Sequence, residues 1–152
     1  MQTDPNWANF LYNPNTKKIY LLDFGASREY PKSFVDNYVR VMKAASDNDK
    51  ETVIKVSQEM KFLTGYESKI MENAHVDAVM LLGELFRHPG EYSFNNHDMI
   101  ARIQNLVPTM LSHRLCPPPD EIYSIHRKLS GIYLLCVKLN VPVAARSLFL
   151  DL

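Results

Sequence analysis

The spacing of apolar positions along this chain changes once. Up to residue 25 they come in short runs, Phe10-Leu11-Tyr12 and Ile19-Tyr20-Leu21-Leu22, separated by Asn13-Pro14-Asn15-Thr16. Aromatic and β-branched runs of that length favour strands. Asn tolerates the left-handed backbone region and Pro presets φ, so the segment between them reads as a turn and the whole as a β-hairpin. Beyond residue 32 the period becomes helical. Ser33 is placed to cap a helix whose inward face is Phe34, Tyr38, Val41 or Met42, and Ala45. Asp47-Asn48-Asp49 ends it and caps a second, from Lys50 to about Lys61, with Val53, Val56 and Met60 inward and Gly65 as its left-handed terminator. A third helix is expected over about 67–87. A fourth, capped by Asn95 or Asn96, should run to about His113 with Pro108 kinking it. Pro117-Pro118-Pro119 is a stiff connector, Asp120 or Glu121 opens a fifth helix to about Leu139, and Val143 to Leu150 makes a short last one. The expectation is a mainly α domain, a hairpin followed by about six helices.

Composition narrows the class. The 152 residues are enough for one domain with a real core, and 46% apolar against 22% charged residues excludes disorder. Seventeen basic and 17 acidic residues cancel, so no global field recruits nucleic acid. Cys116 and Cys136 fit two separate thiols in a reducing compartment. No run reaches the roughly 18 apolar residues of a membrane span. Ile132-Tyr133-Leu134-Leu135-Cys136-Val137 is short enough to bury against the domain, and a lipid-facing surface there stays open as the alternative. The first residues show neither a signal peptide nor the Arg- and Ser-rich character of a mitochondrial presequence.

Three oxygen-bearing side chains frame the hairpin: Asp4, Asn9 and Asp23. A hairpin joins its outer ends, which places Asn9 beside Asp23. Strands lie roughly 4.8 Å apart, so an amide oxygen and a carboxylate at those ends reach one cation. Asp4 precedes Pro5, which favours extended backbone, in the loop feeding the same end. Magnesium suits such a set, because it takes a few hard oxygens from protein and completes its shell with phosphate and water.

An Asp followed five residues later by Asn, then a hairpin and Asp23-Phe24-Gly25, has the order and spacing of the kinase catalytic loop and its metal motif. The wording is narrower than kinases in general. Gln2-Thr3-Asp4-Pro5-Asn6-Trp7-Ala8-Asn9, Leu22-Asp23-Phe24-Gly25-Ala26 and Lys61-Phe62-Leu63-Thr64-Gly65 closely resemble the UbiB-type (aarF-domain-containing) atypical kinases. Pro117-Pro118-Pro119-Asp120-Glu121 and His126-Arg127-Lys128 resemble their mitochondrial coenzyme-Q-biosynthesis branch. The resemblance implies a kinase-like C-terminal lobe over residues 1–152, in a parent that binds ATP and magnesium and supports ubiquinone biosynthesis in mitochondria. It implies Asn9 and Asp23 as the metal- and nucleotide-holding pair, and Asp4 as the catalytic residue that orients the attacking group or accepts its proton. Thr3 stands where conventional kinases carry the Arg of His-Arg-Asp, and no Ala-Pro-Glu follows the short connector 26–32. Both departures argue against a protein substrate and against phospho-activation. The family's Ala-rich loop and Lys-Gly-Gln helix do not occur; the chain is expected to be a fragment, isoform or truncated gene model without the N-terminal lobe, and inactive by itself. Implied partners are a nucleotide and, beyond it, a lipid or quinone precursor and coenzyme-Q biosynthetic proteins, with peripheral membrane association and no nucleic acid. Two rival readings remain: a non-catalytic helical module binding such partners, and a small-molecule phosphotransferase.

The remaining candidates read as structure. Glu72-x-x-His75 is half of a di-iron motif without the second half. His88, His97, His113 and His126 are scattered at helix ends or polar faces, and Met71, Met80 and Met110 fill core gaps. Trp7 and Phe24 are expected as packing anchors, and Arg28 as a phosphate contact or one half of an ion pair.

Overall fold

In a computed structural model, which describes residues 1, 3, 6–94 and 98–151, a single 3-10 turn (Trp7–Asn9) leads into β1 (Phe10–Asn13) and β2 (Lys18–Leu21). Helices α1 (Lys32–Ser46), α2 (Lys50–Glu59), α3 (Lys69–Arg87), α4 (Met99–His113), α5 (Asp120–Leu139) and α6 (Ala145–Leu150) follow. This is the hairpin followed by helices that the pattern predicts, the arrangement of the kinase-like C-terminal lobe that the resemblance implies. The strands pair antiparallel with Phe10 opposite Leu21 and Asn13 opposite Lys18. The Asn13 Oδ1 accepts the amides of Asn15 and Thr16, so the turn is closed by the side chain that the sequence offered for it.

Helix ends follow local chemistry with some corrections. Asp49 caps α2 by accepting the Thr52 amide, and Ser68 caps α3 by accepting that of Met71. Ser33 is not a cap; α1 opens one residue earlier behind Pro31, whose fixed φ suits the approach to a helix. Nor does Gly65 terminate α2. Lys61 takes the left-handed position at φ 59°, and Gly65, at φ 89°, turns the following loop. The predicted caps Asn95 and Asn96, like His97, lie outside the described residues, and α4 begins at Met99 with Pro108 inside it.

Two apolar clusters hold the lobe. One joins α1, α2 and α3 through Val41, Ala45, Val53, Val56, Val76 and Met80. Val53 and Val56 are fully shielded, and burying each contributes roughly 1.5–3 kcal/mol. At its centre α1 and α3 cross so closely that a Cβ on Gly83 would stand 2.6 Å from the Ala45 Cβ. Arg87 then donates to the carbonyls of Ala45 and Ser46, satisfying the C-terminal end of α1. The second cluster gathers Leu81, Tyr92, Phe94, Met99 and Tyr133, with Phe94 edge-on to both Tyr92 and Tyr133. Reciprocal backbone bonds between Tyr92 and Val143 tie the loop after α3 to the one after α5. Helix α5 itself approaches the other helices only sparsely. No helix among the described residues is long and apolar enough to cross a membrane.

Candidate functional site

The hairpin sets out the site. Past its last strand pair the ladder runs one bond further, from the Leu22 amide to the Asn9 carbonyl at 2.9 Å. Asn9 therefore leaves the 3-10 turn directly across from Leu22, with Asp23 the next residue on the opposing chain. The Asn9 residue is buried, 8% exposed, whereas Asp23 is exposed. One carboxylate oxygen of Asp23, Oδ1, accepts the Gly25 amide at 2.7 Å. That bond fixes the carboxylate against the turn of Asp23-Phe24-Gly25 and leaves Oδ2 for another partner. Two hard oxygen donors from adjoining chain ends, one of them a carboxylate, are the kind of partial shell that suits magnesium carried with a phosphate group. Among the described residues no cluster of three His, Cys, Asp or Glu side chains is assembled, so nothing competes as a self-sufficient metal cage.

Asp4 lies outside the described residues, as does the side chain of Trp7. The residue before Asp4 is well placed: Thr3 is buried and gives both its amide and its hydroxyl to the Ala26 carbonyl. Two residues on, the Arg28 amide donates to the Met1 carbonyl, and the Met1 amino group donates to the Arg28 carbonyl. The chain entering the catalytic-loop motif thus runs beside the chain leaving Asp23-Phe24-Gly25. Thr3, which stands where the conventional kinase motif carries an arginine, serves here as a clasp between those two segments. Sequence reasoning missed this role; the signal was a small β-branched hydroxyl residue in an otherwise extended stretch.

Arg28 is a structural residue. Its guanidinium donates to the Asp120 carbonyl at 3.2 Å, lies 3.9 Å from the Glu121 carboxylate and covers the Tyr30 ring. Tyr30 adds a 2.7 Å hydrogen bond to Ser124. The connector after Gly25 is therefore fastened to the first turn of α5, the Pro-Pro-Pro-Asp-Glu segment. Phe24 is no packing anchor: at 63% exposed it faces solvent. Glu72 pairs with Lys69, while His75 is buried with its Nε2 2.9 Å from the Ser57 hydroxyl, so the two do not form half a metal site. Burial pushes the His75 imidazole down to about 4, with the nearby Arg114 charge adding to the drop.

Residues 1–57, which include Asn9 and Asp23, match the ABC1 atypical kinase-like domain. The chain is 54% identical over 151 residues to the mitochondrial atypical kinase COQ8B of Danio rerio, covering 99% of this chain and 24% of that protein. It is 48% identical over 154 residues to the mitochondrial atypical kinase COQ8 of Saccharomyces cerevisiae, covering 100% of this chain and 31% of the yeast protein. By sequence the chain is similar along its whole length to mitochondrial atypical kinases of the COQ8 kind. A relative named as a probable serine/threonine-protein kinase in Dictyostelium discoideum shares 40% identity over 156 residues. The likeness thus runs through the helices as well as the hairpin. The chain spans between a quarter and a third of the length of these relatives.

Proposed function

We propose that these residues are the C-terminal lobe of a mitochondrial atypical kinase or ATPase that uses ATP with magnesium and supports coenzyme Q biosynthesis. The single observation that carries the site reading is the junction of Asn9 with the chain end bearing Asp23, inside the segment that matches the kinase-like family. Asn9 and Asp23 would hold the magnesium, which when bound neutralises charge on the nucleotide phosphates. Asp23 is held ready by the Gly25 amide, and Asn9 is shielded from bulk water, so neither side chain needs to search for its position. Asp4 orients the group that attacks the terminal phosphoryl and takes its proton. The Thr3–Ala26 clasp fixes the residue before Asp4 against the chain that leaves the Asp23 turn.

The hairpin supports the same reading from its outer surface. Tyr12, Ile19, Leu22 and Phe24 are all more than half exposed, an apolar surface that the nucleotide-clamping half of the cleft would cover. ATP hydrolysis with magnesium, measured for a longer protein carrying this segment and for the 152 residues alone, tests the proposal. The longer protein should turn over ATP and the short chain should show little or none. A longer protein without magnesium-dependent nucleotide binding would leave only the non-catalytic module.

A further inference from the structure

The face of α5 made by Ile122, His126, Leu129, Tyr133 and Cys136 recurs at helical spacing, yet it does not close on the helices opposite. Between it and α1, α3 and α4 lies a partly open cavity of about 480 Å³ with an almost wholly apolar wall. No residue of the hairpin or of Asp23-Phe24-Gly25 lines it. Its volume falls in the roughly 300–1,000 Å³ range of small-molecule sites. Its shape is long, since Ile122 and Cys136 on one wall stand about 21 Å apart along the helix. Left empty, a void of this size forfeits packing on a scale that a domain of 152 residues does not spare, and water gains little from an apolar wall.

Two polar groups on the wall are without partners. The Tyr38 hydroxyl is buried and makes no hydrogen bond among the described residues. Arg114, the residue that caps the C-terminal end of α4 in extended backbone, lines the cavity beyond Ile100, Ile103, Val107 and Met110 of that helix. Its Nε is buried without a hydrogen bond, and no carboxylate of the described residues pairs with it. His75 and His126 also line the cavity, and both are driven toward the neutral form by desolvation, with Arg114 adding to the effect, although His126 keeps an exposed surface. Among the described residues, one guanidinium is therefore the lone fixed positive charge in a long apolar slot.

We propose that this cavity binds a long-chain carboxylate, with the chain lying along α5 and the carboxylate taken by Arg114. A single guanidinium meets a monoanionic carboxylate through two parallel hydrogen bonds and balances its charge; a phosphate dianion would need a second cation that the wall does not supply. The site is separate from the proposed magnesium pair, so either reading stands if the other fails.

The test is a fluorescence displacement titration of the 152-residue chain with palmitate, kept below its micelle concentration, beside hexadecanol as the neutral control. Palmitate should bind at least tenfold more tightly than hexadecanol. Arg114→Gln should abolish that preference while leaving the helical circular dichroism unchanged, and Ala78→Phe, which fills the slot, should weaken both ligands. Tyr38→Phe should fold at least as stably as the parent, since it removes an unsatisfied buried hydroxyl. Failure of palmitate to bind, equal binding of acid and alcohol, or an unchanged preference in Arg114→Gln overturns the proposal. So does a self-associated chain whose cavity is filled by a second copy.

Discussion

At the scale of single residues, His75 gives the most direct prediction. In the folded protein its imidazole is held near 4, whereas in the unfolded chain it titrates near 6.5. Between those values the unfolded state binds the extra proton, so stability is fully present above about pH 6.5 and declines as pH falls toward 4. The loss attributable to His75 is at most about 3 kcal/mol. Urea midpoints measured at pH 7 and pH 4.5 should show it, and His75→Gln should shrink the difference to the share left by His126, whose imidazole is also pushed down to about 4; an unchanged difference in the variant would place the effect elsewhere. Thr3 acts differently. Thr3→Val keeps the shape and removes the hydroxyl donated to Ala26, so it should cost only about 0.5–1.5 kcal/mol in stability. If the clasp positions the catalytic loop, ATP turnover in the intact protein should fall further than that loss explains, with nucleotide affinity little changed.

At the scale of elements, the crossing of α1 over α3 is the tightest point of the lobe. Gly83→Ala sets a methyl group against the Ala45 backbone as well as its side chain, and backbone does not swing aside. Helix propensity favours alanine, by roughly 1 kcal/mol, so a stabilised variant would refute the crossing geometry. The expected outcome is destabilisation by about 1–3 kcal/mol in a denaturant melt. This crossing was only partly legible beforehand. The inward faces of α1 and α2 followed from spacing, because Val41, Ala45, Val53 and Val56 are apolar at helical intervals. Gly83 gave no such signal, since a lone glycine on a helix looks like a simple defect until its neighbour is known. The hairpin ends were legible because turn residues and strand residues alternate cleanly there. The end of α2 was not: Lys61 takes the left-handed conformation that Gly65 offered more cheaply, and the amides of Lys61 and Phe62 close the helix on the carbonyls of Gln58 and Ser57. Likewise Arg28 finds its partners at Asp120 and Glu121, more than ninety residues away, a distance that no local pattern encodes. Being partly exposed, that ion pair contributes little to global stability, less than about 1 kcal/mol. Arg28→Ala should instead speed amide exchange in the connector 26–31, read by hydrogen exchange, with the melting temperature nearly unchanged.

At the scale of the whole molecule, the chain is a helical lobe with its hairpin uncovered. Ile19 at 70% and Phe24 at 63% exposure are unusual for side chains of that size in a finished surface. Hydroxyl-radical footprinting should label Tyr12, Tyr20 and Phe24 strongly in the isolated chain and weakly in a longer protein whose other half closes over them. The candidate site sits at the base of that hairpin, so under the proposed function its chemistry belongs to a cleft assembled with a second lobe. Of its parts, the adjacency of Asn9 to the Asp23 end was readable from turn chemistry alone, whereas the clasp by Thr3 and the anchoring of the connector on α5 required the fold. The account rests most on a divalent ion shared by Asn9 and Asp23. Electron paramagnetic resonance of bound manganese in the intact protein with ATP measures that sharing directly. Asp23→Asn and Asn9→Ala should each weaken manganese binding in the nucleotide complex by about a hundredfold or more, on the scale of lost charge-assisted contacts. Manganese held as tightly by both variants as by the parent would contradict it.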